Sequence, residues 1–132
     1  MMARSPQEAS PATVAALAAA RERYPLDDVQ DFTDVARGLI APLPESVLGD
    51  DGHVIFDLHA MDYIDGDAPD SVDASLWRQS KLIRQGGLFK VVDGVYQVRG
   101  NDIAQLTVVE GVDGLIVIDC MAGVESARQG MA

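Results

Sequence analysis

The chain has few cysteines, few basic residues and no long apolar run, and each shortage excludes a class of protein. With one cysteine among 132 residues, no internal disulfide framework can form. Ten lysine and arginine residues stand against 21 acidic ones, and the net charge of −11 argues against a nucleic-acid partner or an anionic membrane. No apolar run approaches the ~18 residues that suggest a membrane span. A cytoplasmic location is the default expectation, which an upstream signal peptide would change to periplasmic or secreted.

What the chain does contain is enough apolar material for one core. Hydrophobic residues make up 48% of the sequence, which suits a single modest core and does not require two domains. The acidic balance has a second consequence. A site for an anionic ligand would need local positive charge, from a metal or an arginine, to overcome the general negative field.

Three helical patterns precede residue 87. Ser10 and Pro11 are typical of a helix start, and an alanine-rich segment follows them. Apolar residues at helical spacing predict a second helix over residues 28–39. A third helix is predicted over residues 73–85, where Gly86-Gly87 would supply a left-handed stop.

Other signals lie between and on these helices. Residues 47–57 predict a hairpin that turns at residues 50–52, and the acidic stretch over residues 62–71 predicts a surface loop. On the third helix, Leu76, Trp77 and Ile83 share one face. The other face carries the chain's only basic cluster, which consists of Arg78, Lys81 and Arg84. We interpret this cluster as a solvated face in preference to a sulfate site.

Residues 87–119 predict a β-meander. Residues 88–92 and 95–99 are joined by Asp93-Gly94, a dipeptide that tolerates the positive φ of a tight hairpin. A second strand pair is predicted over residues 106–110 and 115–119. Its last strand is apolar without alternation, which is typical of a strand covered on both faces.

A short helix is predicted after the meander, over residues 123–132, with Val124, Ala127 and Met131 spaced for burial. The order of strand and then helix is the start of a crossover to a further parallel strand. The chain by itself is therefore expected to expose the strand at residues 115–118 and to self-associate through it.

Several separated blocks of this sequence resemble one known family. The longest block is the meander at residues 87–119, and two shorter blocks, at residues 31–41 and 75–79, precede it. All three resemble the amino-terminal part of the zinc-dependent alkylsulfatases of the metallo-β-lactamase-fold superfamily. The family commonly places proline after the aspartate of the last strand, whereas Cys120 and Met121 follow Asp119 here.

The resemblance implies an α+β fold, in which a helical amino-terminal arm is followed by a β-meander, the truncated first half of an αββα metallo-β-lactamase-like sandwich. Residues 1–86 would be a family-specific lead-in of helices with one hairpin. Residues 87–132 would be the first meander and the start of the first helix of an incomplete domain.

The resemblance also implies a function for the intact protein. It would be a homodimeric sulfuric ester hydrolase that cleaves alkyl sulfates, such as detergents, with a water activated by two zinc ions. Its His-x-His-x-Asp-His loop would follow the next strand. The chain itself is then expected to bind no zinc, to contain no catalytic residue or metal ligand, and to be inert alone. Its substrate-binding residues are not assigned, and Asp119 is a scaffold position near the expected metal loop.

The remaining candidate residues have simpler interpretations. His53 and His59 lie six residues apart, without the spacing that a zinc site favours, so we expect surface or packing residues. Cys120 follows an apolar strand and is expected to be packed. Residues 99–102 form a polar break between strands that turn chemistry explains, although it could approach a substrate in the intact protein.

One alternative from a different class of function stays open. The chain could be a stand-alone, non-catalytic α+β module that binds a protein or completes a site on another chain. The two hypotheses differ in the sequence that would be encoded downstream of Ala132.

Overall fold

A computed structural model describes residues 8–43 and 46–132 of the chain. Residues 1–7 of the predicted lead-in lie outside the described residues. The elements, in chain order, are α1 (Pro11–Arg21), α2 (Gln30–Ala36), β1 (Leu39–Ala41), β2 (Ser46–Leu48), β3 (Val54–Asp57), α3 (Ala74–Ile83), β4 (Gly87–Val92), β5 (Val95–Arg99), β6 (Leu106–Glu110), β7 (Leu115–Ile118) and α4 (Val124–Gly130).

The strands form an antiparallel sheet and a separate hairpin. The five-stranded sheet has the order β1-β4-β5-β6-β7, and β2 pairs with β3. Gly94, with a φ of 74°, makes the tight turn between β4 and β5. The predicted meander, the predicted hairpin and the α+β class are thus confirmed. β1 precedes residue 87 yet joins this sheet, and the division into residues 1–86 and 87–132 stays a prediction.

Two helices begin at the predicted capping residues. The Ser10 side chain accepts a hydrogen bond from the backbone N–H of Thr13 at 3.1 Å. Asp73 does the same for α3, where its Oδ1 accepts from the N–H groups of Ser75 and Leu76. These contacts satisfy amides that have no partner within the first turn.

The predicted second helix is too long, because Leu39 belongs to strand β1. Gly38 lies between the two elements with a φ of 78°, and its carbonyl accepts from the Lys90 N–H at 2.8 Å. A Cβ at this glycine would lie 2.2 Å from the Lys90 carbonyl oxygen. The close pairing with β4 therefore ends the helix and starts the edge strand.

The left-handed stop predicted at Gly86-Gly87 is also wrong. α3 ends at Ile83, and its cap Arg84 keeps a right-handed helical conformation. Gly86 is absent from the residues with positive φ in the described chain, and Gly87 begins strand β4 at a φ of 155°. A Cβ at Gly87 would lie 2.7 Å from the Ala41 carbonyl oxygen. The close approach of β1 to β4 leaves no room for a side chain at this position, which explains the glycine.

The core lies at the centre of the sheet and uses both of its faces. The strand register places Phe89, Gln97 and Thr107 on one face. Val98 and Leu106 share the opposite face and are both buried. A Cβ at Gly130 of α4 would lie 3.6 Å from Val98 Cγ1, so α4 lies over this second face.

The outer parts of the fold are more exposed than the sequence predicts. All four residues of β7 are exposed, as expected for the chain by itself, although an unbroken apolar run is typical of a covered strand. Cys120 is exposed instead of packed. In α4 the buried residue is Ser126, while Val124 and Met131 are exposed. These errors share one cause, since they all fall at or beyond the edge strand.

The described helices are all too short or too polar to cross a membrane. The compartment of the protein stays a prediction.

Candidate functional site

A groove of about 580 Å³ separates α3 from one face of the sheet. Its walls come mainly from α3, β5 and the segment after β5, and include Leu82, Ile83, Gln97, Arg99 and Asp102. The guanidinium of Arg99 lies 4.4 Å from the centroid of the Phe89 ring. Its Nε donates to Gln97 Oε1 at 2.6 Å. Stacking and this hydrogen bond fix the charged group within the groove wall.

At one end of the groove, Asp102 connects two parts of the chain that are about twenty residues apart in sequence. Its Oδ2 accepts hydrogen bonds from the backbone N–H groups of Ala122 at 2.8 Å and Gly123 at 3.3 Å. Its Oδ1 accepts from the N–H of Ala104 at 2.6 Å. One carboxylate thus joins the β5–β6 connection to the segment that follows β7.

Several contacts determine the protonation of Asp102. Partial burial, the largest single influence, raises the pKa of its carboxyl. The hydrogen bonds from Ala104, Ala122, Gly123 and the Ser126 side chain act in the opposite direction and together outweigh it. The pKa of Asp102 is therefore lower than its ordinary value, and the group is a carboxylate at neutral pH.

Asn101, the preceding residue, holds the start of α4. Its side chain is completely buried, and its Nδ2 donates to the Ser126 carbonyl at 2.7 Å. The same nitrogen lies 3.6 Å from Met121 Sδ. Asn101 Oδ1 has no partner among the described residues. Burying an amide oxygen without a hydrogen bond costs about 1–3 kcal/mol.

Asp119, the predicted scaffold position, lies directly after the end of β7. It is exposed, and its Oδ1 accepts a hydrogen bond from the N–H of Met121 at 3.0 Å. The backbone φ is 60° at Asp119 and 65° at Met121. Positive φ is uncommon outside glycine, and uncommon for methionine in particular. The structure thus places Asp119 in a tight exit turn, and its role as a scaffold position stays a prediction.

The two histidines lie on the surface and pair with aspartates near them in sequence. His53 pairs with Asp51, and His59 Nδ1 lies 2.8 Å from Asp62 Oδ2. The hydrogen bond with His59, assisted by Arg84, keeps the pKa of Asp62 below its usual value. Within residues 8–43 and 46–132, no three His, Cys, Asp or Glu side chains come together in a way that could hold a metal ion.

The basic cluster on α3 is not the solvated face that the sequence predicts. Its side chains bind acceptor groups of the chain itself. Arg78 is only 18% exposed and pairs with Asp31 at 2.8 Å. Its guanidinium also lies 5.2 Å from the centroid of the Phe32 ring. Lys81 donates to the Gly66 carbonyl, and Arg84 pairs with Asp62. The cluster fastens α2 and the acidic loop to α3.

Sequence reasoning missed the importance of Asn101 and Asp102. It assigned them to turn chemistry, which accounts for the bond between Asp102 and Ala104 alone. Their other partners, in residues 121–126, are distant in sequence. The signal available in the sequence was a pair of polar residues between two strands of the meander. The fold buries one of them, Asn101.

Comparison with known proteins gives a consistent result. The chain is 43% identical over 129 residues to a linear primary-alkylsulfatase of a Pseudomonas species. It is 37% identical over 127 residues to an alkyl/aryl-sulfatase of Saccharomyces cerevisiae. The matches cover 96% and 95% of the chain, respectively, but only about one fifth of each relative, 19% and 20%. No protein-family model matches the chain.

The fold agrees with the sequence match. The structure of a stereoselective inverting sec-alkylsulfatase from Pseudomonas superposes with a TM-score of 0.86 at 40% sequence identity. The superposition covers 95% of this chain and 20% of that one. In sequence and in fold the chain is therefore similar to part of the known alkylsulfatases, which supports its identification as an alkylsulfatase amino-terminal portion.

Proposed function

We propose that this chain is the amino-terminal part of a longer hydrolase that cleaves alkyl sulfate esters, such as those of anionic detergents. The observation that carries the proposal is the match to alkylsulfatases over nearly the whole chain, at 37–43% identity, in both sequence and fold. Identity at this level over 121 residues or more is well beyond a shared fold alone.

The proposed reaction depends on two zinc ions, and the described residues do not fit them. The only two histidines of the chain are paired with separate carboxylates. Glu110 and Asp119 do not form a carboxylate pair either, because the antiparallel register of β6 and β7 places them at opposite ends of these strands. We therefore propose that the ligands come from other residues of the intact protein, in a metallo-β-lactamase-like domain, and that this chain alone is inactive.

The role of this chain in the proposed enzyme is to build and orient one side of the site. The meander fixes the position of β7, and the turn at Asp119 sets where the chain leaves it. Asp119 lies at the exit of β7, and the resemblance to the alkylsulfatases is what supports its proposed position near the metal loop. Dimerisation of the intact protein stays a prediction.

The first test reads the coding DNA beyond the codon of Ala132. A helix, a strand and their connections fit within roughly 60 codons. We expect a His-x-His-x-Asp-His sequence there. A stop codon directly after Ala132 in the native gene would contradict the proposal and favour the alternative, a non-catalytic module.

The second test measures activity. The complete reading frame and residues 1–132 are expressed side by side, and inorganic sulfate release from dodecyl sulfate is measured together with zinc per chain. We expect sulfate release that a chelator abolishes for the complete protein, and none for residues 1–132. Sulfate release by residues 1–132, or none by the zinc-loaded complete protein, would contradict the proposal.

A further inference from the structure

The segment that leaves the sheet, residues 119–123, has a backbone conformation that its own sequence does not favour. Asp119 and Met121 both have positive φ. An aspartate can adopt this conformation with some ease, but a methionine has no short polar side chain to offset the strain. Such a conformation persists only when contacts from elsewhere impose it.

The imposing contacts come from Asp102 and Asn101. Asp102 Oδ2 accepts from two successive amides, those of Ala122 and Gly123, directly after the strained Met121. Asn101 fixes the next part of the chain through the Ser126 carbonyl. Both side chains belong to the β5–β6 connection, which the central strands of the sheet hold in place.

The exposed position of the exit segment shows that core stability does not account for this arrangement. Asp119, Cys120 and Ala122 are exposed and Met121 is half-buried, so the strained conformation buries little apolar surface beyond part of the Met121 side chain. In proteins, backbone strain that burial of apolar surface does not offset is concentrated at functional segments. The segment also follows β7 directly, near the place that the proposed function gives to the metal loop.

We propose that Asp102 is a positioning residue of the enzyme, which sets the direction in which the chain leaves β7 toward the reaction site. The inference rests on the proposed function, since the site itself would be built by residues of the intact protein. Asp102 does not touch the substrate in this proposal. It acts through the backbone of residues 119–123, and Asn101 supports it by holding α4.

The first experiment tests the contact in the 132-residue chain by hydrogen exchange and mass spectrometry. Exchange of a peptide covering residues 119–126 is compared among the wild type, Asp102→Asn and Asp113→Asn. Asp113 lies in the exposed turn before β7, so Asp113→Asn makes the same chemical change outside the segment. We expect about tenfold faster exchange in Asp102→Asn only. An unprotected peptide in the wild type, or equal exchange in all three proteins, would overturn the inference.

The second experiment tests the functional consequence in the complete protein. For Asp102→Asn we expect kcat for dodecyl sulfate to fall by about 10–100-fold, with KM within about twofold of the wild type and zinc content retained. Asp102→Glu, which keeps a carboxylate, should recover part of kcat. Asp113→Asn should behave as the wild type.

The outcomes separate the two proposals. An inactive wild-type protein with full zinc would remove the proposed function, while the exchange experiment still decides whether Asp102 holds the segment. A wild-type kcat in Asp102→Asn, or a loss of kcat that lost zinc or the fraction of unfolded protein at the assay temperature fully accounts for, would overturn the positioning role and leave the proposed function intact.

Discussion

Leu106 and Leu115 begin neighbouring strands of one sheet, yet Leu106 is 2% exposed and Leu115 is 62% exposed. Both strands are apolar, and β7 is the more uniformly apolar of the two. Hydrophobic sequence therefore does not decide which strand is buried. The layers above and below the sheet decide it, and these layers reach the centre of the sheet but not the edge at β7.

The centre is covered from both sides. α3 and the groove lie on the face of Phe89 and Gln97. α4 lies on the face of Val98. β7 pairs with β6 along one edge, and its other edge has no partner strand among the described residues. An apolar strand in this position therefore stays exposed to solvent, whereas the strands at the centre of the sheet are covered.

The largest expected effect comes from a matched pair of leucine substitutions. Leu106→Ala removes a buried side chain and leaves a cavity, so we expect the free energy of unfolding to fall by about 2–5 kcal/mol. Leu115→Ala should change it by less than about 0.5 kcal/mol. Urea titration followed by circular dichroism measures both. Similar losses for the two variants would show that β7 is covered in solution, by another copy of the chain or by a rearrangement.

A smaller effect is expected where the centre is connected to the edge, at Asp102. The folded-state pKa of this carboxyl is below its unfolded value, so the carboxylate stabilises the fold above about pH 4 and loses this contribution as the pH falls through the folded-state pKa. Asp102→Asn should lower stability by about 1 kcal/mol at pH 7, because the group is partly screened by solvent.

The difference between wild type and Asp102→Asn should shrink as the solution is acidified below about pH 4. Urea titrations at several pH values measure it. Asp51, Asp62 and Asp73 also have lowered pKa values, but their acid-induced losses are common to both proteins and cancel in the comparison. A difference that does not depend on pH would contradict the role assigned to the charge.

The smallest expected effect concerns self-association through the open edge of β7. Ile116→Lys places a charge within the exposed strand, and charges on edge strands oppose pairing with other chains. We expect it to weaken association by less than about 1 kcal/mol. Val112→Lys makes the same change in the preceding turn and serves as the control. Sedimentation velocity at several concentrations measures the mass. A monomeric wild type would remove the expectation of self-association.

Features that depend on neighbouring residues were predicted correctly. The capping roles of Ser10 and Asp73 and the turn at Asp93-Gly94 follow from local backbone chemistry, and the structure contains all three. The resemblance to alkylsulfatases was predicted from separated sequence blocks and is confirmed by the match in sequence and fold.

Features that depend on distant residues were not predictable in this way. Leu39 has helical spacing with its neighbours, but pairing with Phe89 makes it a strand residue. Cys120 and Met131 are apolar in pattern but lie outside the covered part of the fold. Asp102 shows the same limit for the site, because its two amide partners lie 20 and 21 residues away.

The ion pairs of the fold have a consequence for how an anion would approach this surface. Five basic side chains pair with aspartates, namely Arg37, Arg78, Arg84, Lys90 and Arg128. The two charges of each pair cancel locally, and the excess of acidic groups leaves a negative long-range potential. A negatively charged molecule is therefore repelled as it diffuses toward these residues, although each basic side chain is individually close to an acidic one. Added salt should weaken this repulsion.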